Sequence, residues 1–479
     1  MKKFRLPSIF LCLLLALSLF TPALALEDPQ PHAGAVVIVD SDNDEVLYDF
    51  NAHQKMYPAS VTKIMTSLVV LDAVRDGELS LDTPITASAQ AVRLPEGSST
   101  AGIKAGEVLT VEQLLYCDLI PSANEACNIL AEAVAGTQEA FVERMNQKAA
   151  ELGMTGSHFA NPHGLHDPDH YTTAYDLYLA ARAAMEYELF RTIVSTAAYT
   201  LPATNLSAPR VLHTTNALIG NWYVLGYTYS RAIGIKTGYT EEAGRCLASA
   251  AVDDQGRTFY CILLGSEFSN DENGNFVRWS FSESKRLLEW AFQNFQRTTL
   301  LDENTPNVMR EVPVTLSDTD HVLAKPVGSI QHTMPVDYDP DKAELVIDLP
   351  ESLEAPVAAG TKLGTVSLVY EGVNYGSLDL IANADVERSD YLYYKQQIGI
   401  YWGKWWVKAA VIALIVLILV LIFLIIRGRK RSKARRYTYS GGRRSSGYRG
   451  KRSRTAKSTP GAEAPGVLPV TGSSQWACR

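Results

Sequence analysis

The stretch Tyr57-Pro58-Ala59-Ser60-Val61-Thr62-Lys63 decides how this chain is read. It leads into Ile64, Met65, Leu68, Val69, Leu71 and Val74, whose spacing predicts a helix opened by Ser60 and running toward Arg75 and Gly77. Three residues apart on that helix, Ser60 and Lys63 leave from one face. A serine hydroxyl is a poor nucleophile until a neighbouring base takes its proton. A lysine amine ordinarily titrates near ~10.4, and it serves as a base near pH 7 only where burial or a second cation holds it neutral, a difference of about 4 kcal/mol. The stretch therefore asks the rest of the chain for a closed cleft and another lysine. Ser-x-x-Lys alone is a weak pattern. Ser282-Glu283-Ser284-Lys285 repeats it at what reads as the start of an ordinary amphipathic helix.

Two further motifs supply the company. Pro121-Ser122-Ala123-Asn124 falls between two predicted helices, where a short loop projects Ser122 and Asn124 into a cleft. Ser41-Asp42-Asn43 has the same Ser-x-Asn pattern but sits in a hairpin turn, which explains its composition. Ile235-Lys236-Thr237-Gly238 reads as a strand ending in glycine. A lysine and a threonine side by side on a strand edge hold a carboxylate by charge and by a hydroxyl hydrogen bond, and Gly238 permits close backbone approach.

Outward from these motifs, 35–39 and 45–50 read as a β-hairpin turning at 41–44, ahead of the Ser60 helix. Residues 81–110 read as short strands and turns. Helices are expected from 111 to the break at Pro121, over 124–135, 139–152 and 173–187, with a polar loop at 161–170. Strands follow at 232–239, 245–252 and 258–265, then a helix over 282–295. This order predicts an α+β domain, an antiparallel sheet closed by the two chain ends with a helical cluster beside it. From about 300 short strands and turns take over, which predicts a small all-β, sandwich-like domain. The expected organisation is a signal peptide at 1–25, a catalytic domain at 26–298, a small β-domain at 299–388, a juxtamembrane linker at 389–404, a transmembrane helix at 405–426 and a basic disordered cytoplasmic tail at 427–479.

The leader is inferred from Lys2, Lys3 and Arg5, an apolar run, and Ala23-Leu24-Ala25 as a cleavage site. The C-terminal span rests on an unbroken apolar run of 18 residues at 409–426. At 1.5 Å per residue that run covers about 27 Å of bilayer. Trp402, Trp405 and Trp406 precede it and seven Lys or Arg follow by Arg436, which places the tail in the cytoplasm and everything before the helix outside. The net charge of -8 hides an asymmetry. Residues 26–426 carry 26 Lys+Arg against 51 Asp+Glu, whereas 427–457 carries 14 basic residues and no acidic ones. The acidic ectodomain argues against nucleic acid as a partner, and the basic tail suits a topology determinant with affinity for anionic lipid. Of the 6 cysteines, Cys117, Cys127, Cys246 and Cys261 fall in the ectodomain. They read as free and buried. The alternative is a Cys246–Cys261 bridge across a hairpin turning at Asp254-Gln255, with both side chains on one face.

In this order the three motifs are the set of penicillin-binding proteins and class A β-lactamases. Over roughly residues 30–300 the chain resembles the low-molecular-weight penicillin-binding proteins, the serine-type D-alanyl-D-alanine carboxypeptidases of peptidase family S11. Phe159-Ala160-Asn161-Pro162-His163-Gly164-Leu165, Thr172-Thr173-Ala174-Tyr175-Asp176 and Gly234-Ile235-Lys236-Thr237-Gly238-Tyr239-Thr240 carry the likeness further. Residues 355–366 resemble that family's small C-terminal β-domain. The resemblance implies a β-lactamase/transpeptidase-like fold, no cofactor and no metal. It implies Ser60 as nucleophile, Lys63 as its base and Ser122 as proton relay. Asn124 would hold the peptide amide, and Lys236 and Thr237 the terminal carboxylate. The N–H groups of Ser60 and Tyr239 would form the oxyanion hole, with Gly238 between. The implied partners are peptidoglycan stem peptides ending in D-Ala-D-Ala, β-lactams as covalent inhibitors, and the membrane through the C-terminal helix.

Some features depart from the family. Certain relatives carry a carboxylate-binding arginine after the strand ending at Gly265, where this chain has Ser266-Glu267-Phe268. Many end in an amphipathic surface helix rather than a spanning one. Leu468-Pro469-Val470-Thr471-Gly472 looks like a sorting signal but lacks the hydrophobic segment such a signal needs. His163, His166, His170, Asp167 and Asp169 have metal-like spacing on a loop that matches a non-metal segment of the family. Two other functions stand beside the carboxypeptidase: a β-lactamase, although no glutamate occurs between His158 and Asp176 to activate water, and a catalytically weak wall-binding scaffold, against which the intact motifs argue.

Overall fold

The computed structural model describes residues 28–270 and 274–436. The expected leader, the tail beyond 436 and the stretch 468–472 lie outside them. Five strands form the central antiparallel sheet: β1 (Ala35–Asp40), β2 (Glu45–Phe50), β3 (Ala232–Thr240), β4 (Gly244–Val252) and β5 (Thr258–Ser266), in the order β2-β1-β5-β4-β3. The first and last strand pairs of the domain thus meet at β1 and β5.

Both faces of this sheet are covered, so β1 is buried along its whole length instead of alternating. On one face Val37, Val39, Ala248, Ala250, Ile262 and Leu264 join the core of the helical cluster. That cluster comprises α1 (Lys63–Arg75), α2 (Val111–Leu119), α3 (Asn124–Ala135), α4 (Gln138–Glu151), α5 (Ala174–Met185) and α6 (Glu188–Val194). On the other face Val36, Ile38, Leu247, Phe259 and Leu263 pack against Leu287, Leu288, Ala291 and Phe292 of α7 (Trp279–Asn294). Helix starts follow local chemistry: Thr110 and Gln113 form a capping box at α2, and the Thr137 and Thr173 hydroxyls cap α4 and α5.

Two expectations change. Ser60 does not open an α-helix: Ala59–Thr62 is a tight 3-10 turn, and α1 begins at Lys63. Cys246 and Cys261 do not share a face. The connection between β4 and β5 spans the five residues 253–257, pairing Val252 with Thr258. One residue more than a tight turn at Asp254-Gln255 allows, it flips the parity of β5. Cys246 therefore faces the helical cluster and Cys261 faces α7, and all four cysteines are free and buried.

Beyond α7 the chain builds a separate apolar core around Leu301, Val312, Ala324, Val366, Leu368 and Leu380. A six-stranded sheet and the pair Phe295–Leu301 with Ile330–Pro335 enclose it. The β1–β2 turn docks against this second domain. Asp40, almost fully buried, accepts a hydrogen bond from Thr333 Oγ1 at 2.6 Å. Arg297 pairs with Asp42 at 2.7 Å, and Asn43 donates to the carbonyl of Gln331 at 3.3 Å. The turn composition at 41–44 thus serves a domain contact as well as a hairpin.

The C-terminal unit, described on its own, has α8 (Asp390–Gly403) and α9 (Trp405–Arg436). The segment expected as a linker is helical. Among the described residues, one helix, Trp405–Arg429 within α9, is long and apolar enough to cross a membrane, and its apolar side chains are exposed.

Thr333→Val is expected to leave a buried carboxylate oxygen of Asp40 without its donor. The unfolding free energy should fall by about 1–3 kcal/mol, read by denaturant unfolding of parent and variant.

Candidate active site

The site forms where the 3-10 turn at Ala59–Thr62, the α2–α3 connection and strand β3 converge. Ala59 has a positive φ of 47°, so the chain bends sharply just before Ser60. Gly164 lies against this bend, and a Cβ there would sit 1.9 Å from the Ala59 carbonyl oxygen, which excludes any side chain. Below the turn, Lys63 is fully buried. Its Nζ lies 3.1 Å from Ser60 Oγ, 2.7 Å from Asn124 Oδ1 and 2.8 Å from the carbonyl oxygen of His163. Three acceptors suit an ammonium's three protons. After loss of one proton the two carbonyl oxygens still take two N–H bonds, and the lone pair faces Ser60 Oγ. The arrangement therefore holds a lysine in either protonation state.

Ser122 is buried, with φ of 66°, a left-handed conformation that a serine adopts only under local constraint. Its constraint is visible: Ala123 N–H donates to Cys117 O, and Asn124 N–H to Ser99 O. Lys236 is also buried, and its Nζ donates to Ser122 Oγ at 2.9 Å and to the carbonyl of Thr237 at 3.0 Å. Burial, and after it the charge of Lys63, hold the Lys236 amine down to about 7. The two hydroxyls thus stand in front, each with a lysine behind it.

Strand β3 is an edge strand, which leaves one row of its backbone groups open to a ligand. Gly238 brings that edge against the turn: a Cβ there would meet Pro58 O at 2.9 Å and Ser60 N at 3.1 Å. Thr237 Oγ1 lies 2.6 Å from Thr215 Oγ1, and Tyr239 is half exposed beyond it. A cleft of about 420 Å³ is lined by Ser60, Ser122, Thr237, Gly238 and Tyr239, with Ser99, Thr215, Tyr223, Arg245 and Arg278 completing its walls. Cys246 also lines it, but burial pushes its thiol up to about 12, so it is no nucleophile at neutral pH.

All eight residues singled out in the sequence meet here. Asn124 turns its carbonyl oxygen to Lys63 and is nearly fully buried. Thr215, Arg245, Arg278 and Asp118 carry no motif and were not anticipated. Asp118 is buried behind α1, accepting from Ser67 Oγ and Cys127 Sγ at 2.8 Å each. Burial raises its carboxyl, against the opposing pull of Lys63. Glu267, the departure after Gly265, lines a different cavity with His32 and Trp279. The second Ser-x-x-Lys motif is no site: Lys285 sits over the Tyr229 ring, while Ser282 donates back to its own helix.

The histidine loop braces the turn. His170 Nδ1 accepts the N–H groups of Ala160 and Asn161, so its neutral ring carries the proton on Nε2 and donates to Thr62 Oγ1 at 2.8 Å. Thr62 in turn donates to Ala59 O at 2.8 Å, and Thr66 to Pro162 O at 2.5 Å. Burial lowers His170 to about 4, and burial followed by the Lys63 charge lowers His163 to about 3. Both values lie below the ordinary ~6.5, so the unfolded chain binds these protons first as pH falls. Stability is fully present above about pH 6.5 and should fall toward pH 4, by about 3 kcal/mol for His170 alone. Denaturant unfolding at pH 7, 5 and 4 reads it, and His170→Gln should show a flatter pH dependence.

Residues 23–266 match the model of the D-alanyl-D-alanine carboxypeptidase family, peptidase S11, and residues 295–388 match that of the penicillin-binding protein 5 C-terminal domain. D-alanyl-D-alanine carboxypeptidase DacC of Escherichia coli is 30% identical over 391 residues, covering 79% of this chain and 90% of that protein. DacF of Bacillus subtilis is 28% identical over 360 residues, covering 75% and 87%. The solved structure of penicillin-binding protein 5 from Haemophilus influenzae superposes with a TM-score of 0.58 at 26% identity, covering 76% of this chain and 100% of that one. The sheet between two helical layers and the appended β-domain are those of one lineage: the chain belongs to the D-alanyl-D-alanine carboxypeptidase family, peptidase S11.

Proposed function

We propose that this chain removes the terminal D-alanine from peptidoglycan stem peptides ending in D-Ala-D-Ala through an acyl-enzyme on Ser60. The observation that carries the reading is the pair of buried lysines, each behind a serine hydroxyl at the floor of one cleft. With Lys63 neutral, its lone pair takes the Ser60 proton as Oγ attacks the penultimate carbonyl carbon. The N–H groups of Ser60 and Tyr239 receive the developing oxyanion, and the tight approach at Gly238 supports that pairing. The proton then passes by way of Ser122 to the departing amine. D-Alanine leaves, and water hydrolyses the ester on Ser60. Lys236 and Thr237 give the cleft its affinity for the carboxylate end, and Asn124 holds Lys63 and the peptide amide in register.

Among the described residues no carboxylate lines the cleft, so no glutamate of the kind that activates water in β-lactamases stands there. A β-lactam, which presents a carboxylate and a strained amide, should acylate Ser60 and stay attached. This favours a penicillin-binding carboxypeptidase over a β-lactamase. In the cell we place the catalytic domain outside, the single span of α9 in the membrane and the basic tail in the cytoplasm, supported by the Trp and Arg/Lys flanks of the apolar helix.

The full-length protein in detergent should release D-alanine from a D-Ala-D-Ala peptide and form a long-lived penicilloyl adduct by mass spectrometry, and Ser60→Ala should do neither. Rapid penicillin turnover without D-alanine release would move the assignment to a β-lactamase. Peptide binding without release would move it to a scaffold. Gly238→Ala should keep the fold but cost about 100-fold in kcat/KM by lifting the β3 edge off Ser60.

A further inference from the structure

We propose that the exposed Trp222, with Tyr223 beside it at the mouth of the cleft, is a stacking platform for the sugar rings of the glycan strands that carry the stem peptides; this deepens the reading above and takes its substrate from it. The platform stands on two segments that no motif marks. Strand Arg210–His213 pairs antiparallel with Ala198–Leu201 and buries Leu212, which leaves Val211 and His213 together on its other side. The Trp222 indole lies flat on the His213 ring, 3.6 Å between centroids and 2° from parallel. Trp222 is still 65% exposed, so its second face is open to a ligand. The next residues, Tyr223 and Val224, line the cleft that holds Ser60. Both ends of the segment are fixed: Thr215 Oγ1 meets Thr237 Oγ1 at 2.6 Å, and Tyr227 OH accepts the Arg278 N–H at 3.0 Å.

Composition selects the ligand. In a chain that is 20% charged, residues 211–230 contain no Lys, Arg, Asp or Glu, and Arg210 just before them is paired with Glu107 at 2.9 Å. A neutral surface does not select an anionic lipid headgroup, for which basic side chains are needed. Val211, Trp222, Tyr223 and Leu225 are large, apolar and exposed. They are few beside the roughly 20–30 residues a side of a stable protein interface. A flat indole in a small neutral patch suits a rigid, uncharged ring. The N-acetylated pyranose rings of peptidoglycan meet this description, since each presents an apolar C–H face and a polar edge of hydroxyl and acetamido groups. Tyr and Trp offer broad contact area at little entropic cost, and Asn and Ser adapt their hydrogen bonds to such an edge. Asn221, exposed immediately before Trp222, supplies an amide for it. Val211 lies about 7 Å from His213 along the strand, so the apolar strip extends past a single ring, as a chain of linked sugars requires.

The experiment uses full-length protein in a detergent without a sugar headgroup. D-Alanine release is measured from a free peptide ending in D-Ala-D-Ala and from purified insoluble peptidoglycan whose stems end the same way, and co-sedimentation with that polymer reads binding separately. Parent, Trp222→Ala, Trp222→Phe and His213→Ala are compared, with far-ultraviolet circular dichroism to confirm folding. Trp222→Ala should weaken polymer binding and slow release from the polymer about 5- to 10-fold, and change release from the free peptide less than about 3-fold. Trp222→Phe, which keeps a ring, should recover part of the loss, and His213→Ala should act in the same direction by less. A soluble β-1,4-linked oligomer of N-acetylglucosamine should displace the parent from the polymer. An equal loss on polymer and free peptide, no loss on the polymer, or a change in self-association in place of polymer binding would overturn the platform while leaving the carboxypeptidase reading intact. A folded parent that binds the polymer through Trp222 but releases D-alanine from neither substrate would overturn the carboxypeptidase reading and leave the platform standing.

Discussion

Two lysine side chains are buried within one small volume, and the rest of the site is arranged around satisfying them. An unpaired buried ammonium is among the most costly groups a protein can hold. Lys63 is given three oxygen acceptors from three different segments: the 3-10 turn at Ala59–Thr62, the start of α3 and the loop at His163. Lys236 is given Ser122 and its own strand. Asp118, out of contact with the cleft, is a buried carboxyl near them, whose pKa burial raises and the charge of Lys63 lowers. Each lysine therefore holds a separate piece of chain in place, and the geometry that sets an amine behind each serine hydroxyl also keeps the amines tolerable.

The same constraint explains the close backbone approaches. Segments that converge on one amine must pass near one another, and side chains would hold them apart. Gly164 against Ala59 and Gly238 against Ser60 are the two points where this happens. The positive φ values at Ala59 and Ser122 are the conformational cost, set at the two residues that turn the hydroxyls toward the cleft. The histidine loop reinforces the arrangement through neutral His170, whose two nitrogens join the loop backbone to Thr62. Its metal-like spacing reflects this bracing role: His170 is committed to Thr62 and the loop, and His163 Nδ1 accepts the Leu165 N–H.

The chain ahead of α8 has two cores joined by a polar seam. Asp40, Asp42 and Asn43 extend from the end of β1 and its turn to Thr333, Arg297 and Gln331 of the β-domain. The seam lies at the opposite end of the sheet order from the cleft-lining edge strand, since β1 and β2 are remote from β3. The β-domain is thereby held without touching the cleft-forming edge.

Much was legible in the sequence because local patterns report local structure. Ser60 and Lys63 are three apart, Ser122 and Asn124 two apart, and Lys236 to Gly238 contiguous, so each motif is a short-range statement about one turn or strand. The strands expected at 232–239, 245–252 and 258–265 form within a residue of those bounds, and the helix expected at 124–135 forms there. The sequence by itself thus determined the type of most elements, the candidate site motifs and the apolar C-terminal helix. Only the tertiary structure decided which isolated residues join the site. Arg245, Arg278 and Thr215 reach it through strand register and packing, which no spacing along the chain encodes. The same reason separates Cys246 from Cys261: one extra residue in the connection at 253–257 reverses which face a side chain takes, and that choice belongs to the pairing of strands rather than to either strand alone.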